Sequence, residues 1–136
     1  MTNSKYYYQC LMSKYSSERS KLKEKKEKWE KYLAELNNFK PILSNTASNV
    51  NSCSSSLLGG GYLVGEGVSL DNGKLSEIAS KLEDDSSKLS NVISKTQQKI
   101  EEFTQKITEL TSLYEEAKRN YNEAKKKESL VNSYNF

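Results

Sequence analysis

The residues in this chain with types and spacing suited to chemistry are a glycine cluster, an acidic triplet and two cysteines. Gly60 to Gly65 have the G-x-x-x-x-G spacing that lets backbone amides close around a phosphate. The next two residues are Glu66 and Gly67, where a phosphate loop needs Lys and Ser or Thr, so a carboxylate would face the proposed anion. Gly61 and Gly65 also have the G-x-x-x-G spacing of paired membrane helices. The longest uncharged apolar run around them, LLGGGYLV, falls far short of the roughly 20 residues that span a bilayer, so no membrane anchor is expected. The acids Glu83, Asp84 and Asp85 are adjacent, and adjacent residues on a helix point in different directions, which suits a solvated face better than a metal or acid–base site. Histidine is absent, and Cys10 and Cys53 lack metal-pair spacing, which removes zinc centres and His-based triads. The expectation is a non-enzyme without cofactor or metal, whose working chemistry is the burial of apolar surface.

The elements that would carry that surface are helices. Only 35% of the 136 residues are hydrophobic and a single proline interrupts the chain, so a thick core is not available and an elongated helical protein is expected. Every seventh residue from Tyr8 is apolar: Tyr15, Leu22, Trp29, Leu36, Leu43, Val50 and Leu57. Three residues on, the companion position runs Leu11, Glu18, Lys25, Tyr32 and Phe39, with Leu33 beside them, so this first stripe is narrow between Tyr15 and Trp29. The second stripe is fuller. Leu75, Leu82, Leu89, Thr96, Phe103, Leu110, Ala117, Ala124 and Val131 hold one position, and Ala79, Ile93, Ile100, Ile107, Tyr114 and Tyr121 hold the other.

Two such stripes joined by one short connection predict an all-α, elongated antiparallel two-helix hairpin, coiled-coil-like and forming one domain over 1–136. Helix one is expected over 5–56, kinked or broken near Pro41 over 38–42, where the amide donor is lost. A Gly-rich loop is expected over 57–73 and helix two over 74–130. The core of the hairpin is assigned to Tyr15, Leu22, Trp29, Leu36, Phe103 and Leu110, with Trp29 near Ile100 and Phe103. Tyr8 and Tyr15 should meet Tyr121 and Tyr114 at the open end. Because Glu18 and Lys25 oppose a full stripe, Ile93, Ile100, Ile107 and Tyr114 are expected to leave apolar surface for a partner helix in a homo-oligomer or a heteromer. Leu58, Tyr62, Leu63 and Val64 either fold over the tip or extend that partner surface.

Charge is distributed unevenly: residues 1–40 hold ten Lys or Arg against five Glu, and residues 72–136 are balanced at eleven of each. The lysines of the basic segment alternate with glutamates, as on a solvated coiled-coil face, and no nucleic-acid partner is expected. The start, MTNSKYYYQCLMSK, lacks the apolar core of a secretory signal peptide. The two cysteines, about 60 Å apart along one helix at ~1.5 Å per residue, are expected as free thiols.

The layout KLKEKKEKWEKYLAEL, a central Ser/Gly segment, LDNGKLSEIASKL, then KIEEFTQKITELTSLYEEA resembles the small helical-hairpin proteins of type VII (ESX) secretion. Among them it is most similar to the helical accessory proteins associated with LXG-domain toxins of Gram-positive bacteria. Where members of the wider family carry W-x-G, the turn here is GGGYLVGEG, and Tyr114 and Tyr121 lead to Lys118 and Lys125 where the export signal has an acid. The resemblance therefore implies an adaptor or targeting chaperone working bound to a larger cargo. That cargo would be the helical N-terminal domain of an LXG-type toxin, with or without a second small helical accessory, in the cytoplasm or co-exported. The alternatives are a stand-alone secreted WXG-like coiled-coil effector or structural protein, and a nucleic-acid-binding coiled coil.

Overall fold

The computed structural model describes residues 4–59 and 66–134. These form two helices, α1 (Lys5–Gly59, 55 residues) and α2 (Glu66–Tyr134, 69 residues), packed against each other as an all-α helical hairpin, and no strand occurs among the described residues. Contacts divide the chain into two units: Met1–Glu30 with Lys99–Phe136, and Lys31–Gln98. Each unit has antiparallel register. In the first, Lys5 pairs with Glu128, Arg19 with Thr111 and Trp29 with Phe103. In the second, Ser44 meets Ser86 and Asn51 meets Glu83.

Both helices exceed their expected bounds. α1 continues through Pro41 without the break expected over 38–42. Pro41 is exposed, on the side of the helix away from the seam, and the half-buried Leu36 and Leu43 on either side hold the helix against its partner. The cost is one lost backbone hydrogen bond and local crowding, about 3 kcal/mol, within a long cooperative helix. At the other end of the seam, α2 starts at Glu66 instead of residue 74 and takes in Gly73, whose missing Cβ faces open space. A glycine in a helix costs only about 1 kcal/mol, too little to end a long cooperative helix by itself. Of the loop expected over 57–73, residues 57–59 and 66–73 are helical, and residues 60–65 lie outside the described residues.

The seam is thin because each helix has only one neighbour. Among the described residues, its buried hydrophobic ones are Ala47, Ala79, Ile93, Phe103 and Ala117, and no large side chain is completely enclosed. Alanine is prominent among them because its small side chain lets two backbones approach. Thr96, 4% exposed, is tolerated at a seam position because its hydroxyl donates to the Val92 carbonyl at 2.8 Å. Trp29 lies beside Phe103, as expected, with the ring centres 6.5 Å apart, but it is half-buried where full burial was expected. Of the assigned core, Phe103 is 7% exposed, and Tyr15, Leu22, Trp29, Leu36 and Leu110 are half-buried.

Candidate protein-interaction surface

The apolar series from Tyr8 to Val50 lies along the seam in both units. Its companion on α1 differs from the one expected. At the start of α1 both rows are half-buried, Leu11 and Glu18 beside Met12 and Arg19; from Lys26 onward the residues that turn inward follow four positions after the series, Lys26, Leu33, Ala47 and Ser54, while Lys25, Tyr32 and Phe39 of the three-residue row are exposed. The physical reason lies in the long basic side chains. The Arg19 guanidinium lies 5.1 Å from the Tyr114 ring centre and donates from Nη1 to Thr111 Oγ1 at 3.4 Å. The Lys26 side chain is 29% exposed, its stem lying low while Nζ reaches Glu30 at 3.7 Å. Both cover apolar surface with methylenes and keep their charge at the rim.

This register covers the stripe of α2 that was expected to stay open. Ile93 is 7% exposed, and Ile100, Ile107 and Tyr114 are half-buried, so little of their surface is accessible in the hairpin. Leu58 is in α1, but its side chain, together with Tyr62, Leu63 and Val64, lies outside the described residues.

Exposed apolar surface is instead found in the first unit at Tyr6, Tyr7, Leu130 and Val131, and on a flank of the second unit. Tyr32 and Phe39, displaced from the seam by the four-residue step, are 63% and 50% exposed, and Ile42 is 58% exposed. On α2, Ile78 and Val92 are 48% and 47% exposed. The Ser44–Ser86 hydrogen bond at 3.3 Å sets these two residues level, so counting back along α1 and forward along α2 brings Phe39 and Ile42 beside Val92. Phe39 and Val92 both follow a seam leucine, Leu36 and Leu89, by three residues, and in an antiparallel pair such positions flank the seam on the same side. Tyr32 extends this cluster two turns along α1, and Ile78 is an outlier further along α2. Tyr32, Phe39, Ile42 and Val92 together expose on the order of 400 Å² of apolar-rich surface, the size of the largest patch on an ordinary monomer, which is often a functional one.

The opposite flank of the same unit is polar. There an open groove of about 690 Å³ is lined by Ser44, Ser48, Asn51, Ser55, Glu83 and Ser86 among others. Asn51 donates to Glu83 Oε1 at 3.3 Å across it. Glu83 is thus engaged with α1, and the neighbouring Asp84 lies 3.9 Å from Lys88 Nζ, so two members of the acidic triplet have cationic or amide partners. Among the described residues no group of three His, Cys, Asp or Glu side chains is placed to hold a metal ion, and no helix is long and apolar enough to cross a membrane. Cys10 and Cys53 are free thiols, as expected, and both are exposed.

The first unit carries the tyrosines. Tyr8, Tyr15, Tyr114 and Tyr121 are half-buried, and Tyr7 and Tyr8 make an edge-on contact at 5.4 Å. Lys5 Nζ lies 3.3 Å from Glu128 Oε2, and that hydrogen bond, with the attraction of the carboxylate, raises the lysine above its ordinary value.

The apolar cluster was visible in the sequence as Tyr32 and Phe39, but there it was assigned to the wrong side of α1. Val92 and Ile42 were not singled out; the signal that marks Val92 is an apolar residue three positions beyond a seam leucine. No family model, curated protein or solved structure matches this chain.

Proposed function

We propose that this chain is a non-enzymatic adaptor or targeting chaperone that binds the helical N-terminal domain of an LXG-type toxin for type VII secretion. The observation that carries the reading is the exposed cluster of Phe39, Ile42 and Val92 with Tyr32, set on a flank formed by both helices of the second unit. Such a flank accepts an amphipathic helix, whose apolar face covers the cluster while its polar face stays in water. The cargo is inferred from the resemblance in layout, and the mode of binding from the cluster. In this reading the adaptor acts in the cytoplasm or is co-exported with its cargo, alone or beside a second small helical accessory.

The test is co-expression with the N-terminal domain of an LXG toxin encoded beside this chain, followed by co-purification of the wild type and of Phe39→Glu and Val92→Glu. These positions are exposed, so circular dichroism should be unchanged while the toxin domain is lost from the complex. Failure of the wild type to retain the toxin domain removes the cargo. Retention by both variants removes the flank as its binding surface.

A further inference from the structure

The two edges of the apolar flank in the second unit differ in charge. Positions three residues apart move outward from the seam on one side of a helix. On α2 the series Leu89, Val92, Lys95 and the series Leu82, Asp85, Lys88 therefore run from seam to edge, and on α1 so does Leu36, Phe39, Ile42. Lys88 and Lys95 bracket Val92, four residues before it and three after, and both are exposed. The edge on α1 is Glu35, Ile42 and Asn49, so the cations at the edges stand on the α2 side.

Pairing within α2 engages these lysines weakly. Lys88 lies 3.9 Å from Asp84 with both side chains 74% exposed. The residues three and four away from Lys95 are Asn91, Val92, Gln98 and Lys99, none of them an acid. Exposed pairs of the Lys88–Asp84 kind contribute little and exchange readily for others. A lysine at such an edge can lay its stem along the neighbouring apolar surface and hold its charge at the rim of whatever docks there.

We propose that the helix received by this flank is acidic along the edge that runs beside α2, with carboxylates one heptad apart opposite Lys88 and Lys95. The proposal rests on the reading of the flank as the helix-binding surface and adds the chemistry of its occupant, which charge complementarity identifies. One heptad advances about 10 Å along a helix axis, so a partner lying along α2 keeps its acids in step with the lysines whichever way it runs. Phe39, Ile42 and Val92 supply the burial. The lysines steer and select: a partner with lysines on that edge meets like charge, and one with neutral residues there loses the attraction.

The test titrates the full chain, to about 100 µM, into labelled helical peptides of about four heptads. Three peptides share one apolar stripe and differ only at one neighbouring position of every heptad, which is Glu, Gln or Lys; a fourth has the composition of the Glu peptide in scrambled order. The peptides are held at nanomolar concentration so that none pairs with itself. At low salt the Glu peptide should bind about threefold more tightly than the Gln peptide and about tenfold more tightly than the Lys peptide, and the differences should narrow as salt rises. Lys88→Glu/Lys95→Glu, with wild-type helicity by circular dichroism, should reverse that order. Lys125→Glu/Lys126→Glu in the first unit makes the same change in net charge and should leave the order as it is. Equal binding of the first three peptides, binding of none, or an equal effect of the two double variants would each overturn the proposal. So would a scrambled peptide that binds like the Glu peptide, which would make the lysines a general anion site. Dimerisation of the chain alone that is lost in Phe39→Glu would overturn it as well, because a second copy then occupies the flank. Retention of the toxin domain without a preference among the peptides leaves the cargo standing and removes the acidic edge; preference for the Glu peptide without retention does the reverse.

Discussion

Lys25 and Lys26 are neighbours in sequence, yet the hairpin gives them different tasks, and replacing each by leucine tests the register of α1. Lys26 turns toward the seam with its side chain 29% exposed, whereas Lys25 is exposed on the flank. In Lys26→Leu the stem is replaced by a compact apolar group at a position already mostly covered, and the charge no longer has to reach the rim. Complete burial of a leucine is worth about 1.5–3 kcal/mol, but the lysine methylenes already capture part of this, so the gain is about 1 kcal/mol. Against it stands the loss of the exposed Lys26–Glu30 contact at 3.7 Å. Pairs of that kind are worth about 0.3–0.5 kcal/mol. The net expectation is stabilisation of about 0.5–1 kcal/mol, a rise in melting temperature of about 2–5 °C for a chain of this length. Lys25→Leu should lie within about 0.3 kcal/mol of wild type, because leucine and lysine have similar helix propensities and nothing covers the flank. Urea unfolding followed by circular dichroism measures both. If Lys25→Leu stabilises and Lys26→Leu does not, the companion stripe follows the three-residue step and the register described here is refuted.

Two further expectations concern the seam and the proline. Phe103→Ala should cost about 3 kcal/mol, the lower end for a buried aromatic because two helices can close partly on the gap, and Trp29→Ala should cost less because Trp29 is only half-buried. A double-mutant cycle on the pair should show coupling of about 0.5–1.5 kcal/mol, and additive effects in denaturant unfolding would mean that the ring contact contributes nothing. Pro41→Ala should raise the urea midpoint by the equivalent of about 1–3 kcal/mol, since it restores a backbone donor in a helix that is already continuous there; an unchanged midpoint would show that the helix does not bear that cost.

Heptad repetition alone determined that this chain forms two long helices and which apolar series each turns inward. The run Tyr8, Tyr15, Leu22, Trp29, Leu36, Leu43 and Val50 and its counterpart through Phe103 are legible without coordinates, because a period near 3.5 residues places every seventh side chain on one face. The companion of that series on α1 was not legible. Seven residues divide into steps of three and four in either order, and both candidate rows mix apolar with charged residues: Leu11, Glu18, Lys25, Tyr32 and Phe39 against Met12, Arg19, Lys26 and Leu33. Hydrophobicity favours the first row, with its two large aromatics; the structure half-buries Leu11 and Glu18 beside Met12 and Arg19 and adopts the second row alone from Lys26 onward. The choice belongs to tertiary packing, since only the position of Tyr114 on α2 gives the Arg19 guanidinium a ring to lie over, and only then do long basic stems fill the seam at low cost. Helix ends show the same limit: Pro41 and Gly73 are local breakers in sequence, yet both helices continue past them, and at Pro41 the half-buried Leu36 and Leu43 hold α1 on either side. The step on α1 is what turns Tyr32 and Phe39 outward, so the candidate binding flank is a product of the packed pair of helices, because a residue three positions from a seam leucine is core or surface only according to where the partner helix lies.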